Sequence, residues 1–151
     1  MSVMTSEDPS DIVLKHIGFT GTQIGQTPQQ LLTVERILAT VCGWFHHGDC
    51  TGADEQSHAI ARRHGKLTII IHPPIIASKR AFCQGDVILD PKDYIARNHD
   101  IVDASIGLIT TPKSFVEELR SGTWATVRYA RKQHKKIVIV FPDGSWRKEE
   151  T

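Results

Sequence analysis

Three short stretches of this chain gather Gly, Ser, Thr and Asp in a pattern suited to holding a phosphorylated ligand. They are Gly18-Phe19-Thr20-Gly21-Thr22-Gln23-Ile24-Gly25, Gly48-Asp49-Cys50-Thr51-Gly52-Ala53-Asp54, and Ser121-Gly122-Thr123. Small residues let the main chain come close to a ligand. A helix start adds free N–H groups and the equivalent of about half a positive charge, both of which favour an anion. Asp49 and Asp54 stand at and just beyond the end of an apolar run. A carboxylate there could bind ribose hydroxyls or steady an oxocarbenium-like transition state. For Asp54 a first-turn partner of the helix dipole is an equal reading. Arg97-Asn98 lies in a segment of helical character, and Arg97 is open between a phosphate or base contact and a surface ion pair.

Other chemistries lack their patterns. Thr20 and Gln23 stand where a G-x-G-x-x-G fingerprint needs glycine, no Gly-Lys is followed by Ser or Thr, and there is no G-x-S-x-G. Hydride transfer on a dinucleotide, P-loop hydrolysis and a serine-hydrolase triad are therefore demoted. His46, His47 and Cys50 suggest a metal, but neighbours on a strand point to opposite faces, so His46 and His47 do not share one ion. His58 and His64, six apart on a helix, do not share a face either. Neither a metal site nor a cofactor is expected.

These residues need a scaffold, and 151 residues suffice for one core. Lys+Arg 18 against Asp+Glu 17 gives a net charge of +1, a poor footprint for coating nucleic acid. The three cysteines (Cys42, Cys50, Cys83) contain no C-x-x-C pair, which suits a reducing cytoplasm. Residues 1–11 read as a flexible lead-in rather than a signal peptide, and no apolar run reaches the roughly 18 residues of a bilayer span. A soluble cytoplasmic protein is expected, with no membrane partner.

From residue 12 to 144 apolar runs and helical patterns alternate. Ile12-Val13-Leu14 with Ile17 reads as a strand ending at Gly18, where a glycine-rich loop to Gly25 begins. A helix follows, with Thr27 as N-cap, Pro28 at its first position, Gln30 in the capping-box place and Leu31, Val34 and Leu38 on one face. Then come a strand at Trp44–His47, a helix at Ala53–His64 stopped by Gly65, and a β-branched strand at Leu67–Ile71. Residues 72–91 read as an irregular lid or binding loop with a short strand at Val87–Leu89. A helix at Lys92–Ala104, a strand at Ile106–Thr110, a loop at Pro112–Arg120, a helix opened by Ser121-Gly122-Thr123 and a strand at Ile137–Phe141 complete the pattern. Residues 145–151 read as a charged tail. The alternation predicts an α/β fold with a mainly parallel sheet of about five strands.

Four strings, in order, resemble the SLOG superfamily, which includes DNA-processing protein A and the LOG-type nucleotide phosphoribohydrolases. They are GFTGTQ from Gly18, HHGDCTGADEQSHAIARRHG from His46, RNHDIVDAS from Arg97, and RSGTWATVRYARKQHKKIVIVFPDG from Arg120. The resemblance implies a Rossmann-like three-layer sandwich whose loops bind a nucleotide or nucleotide-derived ligand, commonly in oligomers. Phosphate would then meet Gly18, Phe19, Thr20, Gly21 and Thr22 together with Ser121, Gly122 and Thr123. Asp49 and Asp54 would face ribose beside Gly48, Gly52 and Ala53, with Arg97 and Asn98 at the rim. LOG-type enzymes carry a glutamate in a Gly-Gly-x-Gly-Thr-x-x-Glu motif, and Thr126 stands in its place here. A nucleotide-binding protein is accordingly the first reading. A nucleotide N-glycosidase with Asp49 as the candidate catalytic carboxylate is the second. A module for single-stranded DNA, using Lys79-Arg80 and the Arg128, Arg131, Lys132, Lys135, Lys136 cluster, is the third and is not favoured. Trp146 and the Ile75-Ile76 pair predict a homo-oligomer.

Overall fold

A computed structural model describes residues 15–150. The predicted lead-in, the Ile12-Val13-Leu14 part of the first strand and Thr151 lie outside those residues. Seven strands and four helices follow in chain order: β1 (Lys15–Gly21), α1 (Pro28–Leu38), β2 (Gly43–His47), α2 (Ala53–His64), β3 (Leu67–Ile71), β4 (Val87–Ile88), α3 (Tyr94–Asp103), β5 (Gly107–Thr111), α4 (Gly122–Lys132), β6 (Lys136–Val140) and β7 (Trp146–Glu149). The strands form one sheet in the order β4-β3-β2-β1-β5-β6-β7, parallel except for the last pair. Helices α1 and α2 pack on each other, as do α3 and α4, giving the three-layer α/β sandwich.

Local sequence accounts for the helices. Thr27 Oγ1 accepts from the Gln30 N–H at 3.0 Å, and Gln30 Oε1 accepts from the Thr27 N–H at 3.0 Å, the reciprocal capping box. Gln30 does more than cap. Its Nε2 donates to Pro112 O (2.8 Å) and Val140 O (3.0 Å), tying α1 to the ends of β5 and β6. Asp93 and Ser121 cap α3 and α4 through the Ala96 and Trp124 N–H groups. Val34, Leu38, Phe19, Phe45, Ile69 and Ile71 fill the core against α1 and α2. Val102, Leu108, Trp124, Val127, Ile137 and Ile139 fill the other. Each such buried side chain contributes about 1.5–3 kcal/mol.

Three expectations are corrected. The sheet has seven strands rather than five, because β4 adds an edge and residues 146–149 are not a tail. They form β7, an antiparallel partner of β6, with Phe141 N–H donating to Ser145 O at 2.8 Å to close the turn. Arg131 on α4 holds β7 through Glu149 at 2.8 Å. The first loop begins at Thr22 rather than Gly18, because β1 pairs with β5 through Phe19–Ile109, Thr20–Thr110 and Gly21–Thr111. That pairing satisfies the backbone of residues whose glycines suggested a turn. Segment 72–91 is irregular as expected, yet anchored: it holds a 3-10 turn at Ala77–Lys79 and bridges from Cys50 to Arg80 and from Pro74 to Lys92.

Candidate functional site

Strand order places the site. β1 continues toward β2 on one side and meets β5 on the other, so the crossover direction reverses between β1 and β5. Ligands of open α/β sheets bind beyond the strand ends at such a point. A cavity of about 600 Å³ lies there, within the range of small-ligand sites. It is bounded by the β1 end and its loop (Phe19, Thr20, Gly21, Thr22, Gln23, Ile24), by Gly48, Cys50 and Asp54, by Tyr94, Arg97, Asn98 and Ile101 of α3, and by the segment that opens α4.

Gly48, just after β2, has no room for a side chain, because a Cβ would fall on the Arg97 guanidinium and close to Asp54 Oδ2. Arg97 is buried, donating from Nη1 to Gly48 O and His72 O and from Nε to Asn98 Oδ1 at 2.7 Å. It braces the cavity wall rather than forming a surface ion pair. Beside it, Asp54 Oδ2 accepts from the Cys50 N–H at 3.1 Å. Burial pushes the Asp54 carboxyl up to about 6 against the opposing pull of Arg97 and two backbone N–H groups, while Asp49 adds to the rise.

The two aspartates part company. Asp49 is fully buried off the cavity wall, with Oδ2 paired to Arg80 Nε at 3.0 Å and Oδ1 accepting from the Cys83 N–H at 2.9 Å. The carboxylate on the wall is Asp54. Gly18 lies inside β1 against Ser105 and Ile101. Ala53 is buried, its N–H donating to Thr22 O at 3.0 Å, and Gly52 supplies the N-cap of α2 at φ 89°. The α2 start is therefore tied to the first loop.

The α4 start is open. Ser121 Oγ accepts from the Trp124 N–H at 3.2 Å and Ser121 O from the Ala125 N–H at 2.9 Å. The Gly122 and Thr123 N–H groups, in the first turn, have no intrahelical acceptor, and both residues line the cavity. Three cations join them there, Lys79, Lys113 and Arg120, which make no ion pair among the described residues; sequence reasoning missed Lys113 and Arg120 and gave Lys79 only to the DNA reading. Arg120 adjoins a recognised turn and was within reach, but Lys79 arrives only through the Cys50–Arg80 bridge. Glu118 joins Asp54 as a second acidic group on the wall, accepting from Ser114 Oγ at 3.1 Å.

The adjacent histidines face opposite sides of β2. His46 bonds His16 and His72 at 2.8 Å each, and His47 bonds His58 at 2.9 Å.

A mainly parallel sheet with helices on both faces, and a cavity carrying cations and an open helix start at its switch point, defines a Rossmann-like three-layer α/β fold. Three solved structures share that fold. The molybdenum cofactor binding protein of the phototrophic bacterium Rippkaea orientalis matches at TM-score 0.67 and 19% identity, covering 85% of this chain and 77% of that one. TM1055 matches at 0.62 and 16%, covering 82% and 72%. DNA processing protein A of Streptococcus pneumoniae matches at 0.63 and 17%, covering 85% of this chain and 50% of that one, so the chain spans half of it. No protein-family model and no curated protein sequence matches the chain. Among the described residues no helix is long and apolar enough to cross a membrane.

Proposed function

We propose that the chain binds a nucleotide or nucleotide-derived anion in the cavity between β1 and β5. The observation that carries this reading is the convergence of the open α4 start with Lys79, Lys113 and Arg120 on one wall. Phosphate would sit on the Gly122 and Thr123 N–H groups and these cations. Thr20, Gly21 and Thr22 bring main chain and hydroxyls to the same space, and Asp54 lies where a ribose hydroxyl could donate to it. Two of the fold neighbours are a molybdenum cofactor binding protein and a DNA processing protein. A small ligand is the better match here, because Arg128 pairs with Glu117 (3.0 Å) and Arg131 with Glu149 (2.8 Å), which neutralises much of the basic face a DNA strand would need.

A pooled panel of nucleotides, incubated with the protein, filtered and quantified by chromatography, tests the reading. One nucleotide should be depleted and recovered intact on denaturation. The double variant Lys113→Ala, Arg120→Ala should weaken its binding at least tenfold, since a hydrogen bond to a charged group contributes about 1.5–3 kcal/mol. Equal retention by the double variant would remove the cations from the site.

One observation favours a second reading, nucleotide N-glycosidase chemistry: a cavity carboxyl pushed up to about 6 can hold or release a proton near neutrality. The same panel would then show free base with matching sugar phosphate. Asp54→Asn should stop base release while leaving binding in place; unchanged turnover eliminates Asp54 from that role.

The exposed side chains of Ile75, Ile76 and Trp146 support a homo-oligomer, and a multiple of the chain mass is expected by light scattering; the mass of one chain rejects it. The free thiols of Cys42, Cys50 and Cys83 fit a reducing cytoplasm.

A further inference from the structure

We propose that His47, His58 and Cys83 form a binding site for a borderline-soft divalent cation of the zinc type, separate from the nucleotide cavity. The three ligands come from β2, α2 and the segment between β3 and β4, and their donor atoms lie within 4.8 Å of one another. Zinc bonds of about 2.0–2.3 Å place tetrahedral donors about 3.3–3.7 Å apart, inside that span. His47 Nε2 and His58 Nδ1, at 2.9 Å, would separate by about half an ångström to admit the ion. Two nitrogens and one sulfur suit zinc rather than magnesium or calcium, which take oxygen. None of the three residues lines the nucleotide cavity, so the site does not depend on that reading.

The surroundings are built for the cluster. Asp49, whose carboxylate the nucleotide cavity does not use, accepts from the Cys83 N–H at 2.9 Å; its negative charge attracts a cation, while burial and that same charge keep the metal-free thiol protonated. Arg80, held by Asp49 at 3.0 Å, lies over the Phe82 ring at 4.4 Å. Phe82 (φ 56°), next to Cys83, and Asp49 (φ 58°), two residues after His47, both adopt left-handed backbone, a strained state for side-chain-bearing residues.

The hydrogen bonds fix what ligation changes. The Asp49 N–H donates to His47 Nδ1 at 2.9 Å, so metal-free His47 carries its proton on Nε2 and donates to His58 Nδ1. Ligation through Nε2 requires the tautomer protonated at Nδ1 and breaks the Asp49 bond. The Cys83 sulfur binds as thiolate, and its proton leaves to solvent.

Titrating the chelator-treated full chain with Co²⁺, followed by absorption, tests the site. One equivalent should produce a thiolate-to-cobalt charge-transfer band and the d–d bands of a four-coordinate ion, and Zn²⁺ should displace both. Cys83→Ser should abolish the charge-transfer band and His58→Gln should weaken binding at least tenfold. Both variants are checked for folding by circular dichroism, and Cys42→Ser should behave as the parent. In Zn²⁺-loaded protein the Asp49 amide resonance should shift as its acceptor is lost. No band at one equivalent, a band that survives Cys83→Ser, or an unmoved Asp49 amide overturns the assignment.

Discussion

Acidifying the metal-free protein from pH 7 to pH 5 is expected to remove about 3 kcal/mol of folding stability, through histidines that must stay neutral. His46 Nε2 and Nδ1 are bonded to His16 and His72 at 2.8 Å each, in a row of three rings whose outer member stacks on Trp44 at 4.1 Å. Burial lowers His46 from 6.5 to about 3, and its two histidine neighbours push the same way. Burial likewise lowers His72 to about 4; Arg97 and Lys92 reinforce the shift and Asp100 opposes it. On the other face of β2, His47 is lowered by burial too. A histidine whose folded pKa is depressed binds fewer protons folded than unfolded, so stability falls as pH falls through the unfolded value. At pH 5, 1.5 units below a free imidazole, the loss is about 2 kcal/mol for each such ring. Asp54 acts in reverse: its folded pKa of about 6 exceeds the unfolded value of 3.8. It gains its proton sooner when folded and returns about 1 kcal/mol at pH 5. His46 and His72 together outweigh Asp54, and the difference is a large part of the 5–15 kcal/mol that holds a typical domain. Urea unfolding followed by tryptophan fluorescence, with chelator present, reads the effect directly. His46→Gln should shrink the drop by about two thirds, to about 1 kcal/mol, and equal stability at the two pH values would show that the rings accept protons without unfolding the chain.

Gly52→Ala is the second large effect, expected at about 3 kcal/mol or more. Gly52 adopts φ 89° and ψ −125° at the N-cap of α2, a conformation open to glycine alone at low cost. A Cβ there would also fall on the carbonyl carbon and oxygen of Gln23, which are backbone and cannot rotate aside. Strain of about 1–3 kcal/mol therefore adds to displacement of the loop after β1. That loop is held to α2 by the Ala53 N–H on Thr22 O at 3.0 Å, so the disturbance reaches the cavity wall. At this chain length Tm should fall by roughly 6–12 °C. Gly122→Ala is the control: a Cβ there meets nothing within 4 Å, and the helix start should be as stable as before. Equal melting of the two variants would mean that the Gly52 backbone tolerates a side chain.

The helices and inner strands were legible because their causes are local. Thr27, Pro28 and Gln30 dictate where α1 begins, Gly65 where α2 ends, and the β-branched run from Leu67 to Ile71 calls for a strand buried on both faces. The alternation of those elements carried the parallel α/β class, and the glycine, serine and threonine clusters marked most of what faces the cavity.

Convergence was not legible. Nothing in neighbouring residues says that β1 lies between β2 and β5, and the cavity exists only because it does. Gly18 to Gly21 looks like a turn until β5 pairs alongside it. Residues 146–149 look like a charged tail until β6 offers an edge. Asp49 and Asp54 stand five residues apart with the same chemistry, yet Arg80 and the Cys83 N–H take one while Arg97 and the cavity wall receive the other. The sequence by itself determined the elements, their caps and the class of fold, since propensity, capping and periodicity act over a few residues. The tertiary structure alone decided strand order, the edge strands, the partner of each carboxylate and the meeting of Lys79, Lys113 and Arg120, because these depend on contacts between residues far apart in the chain.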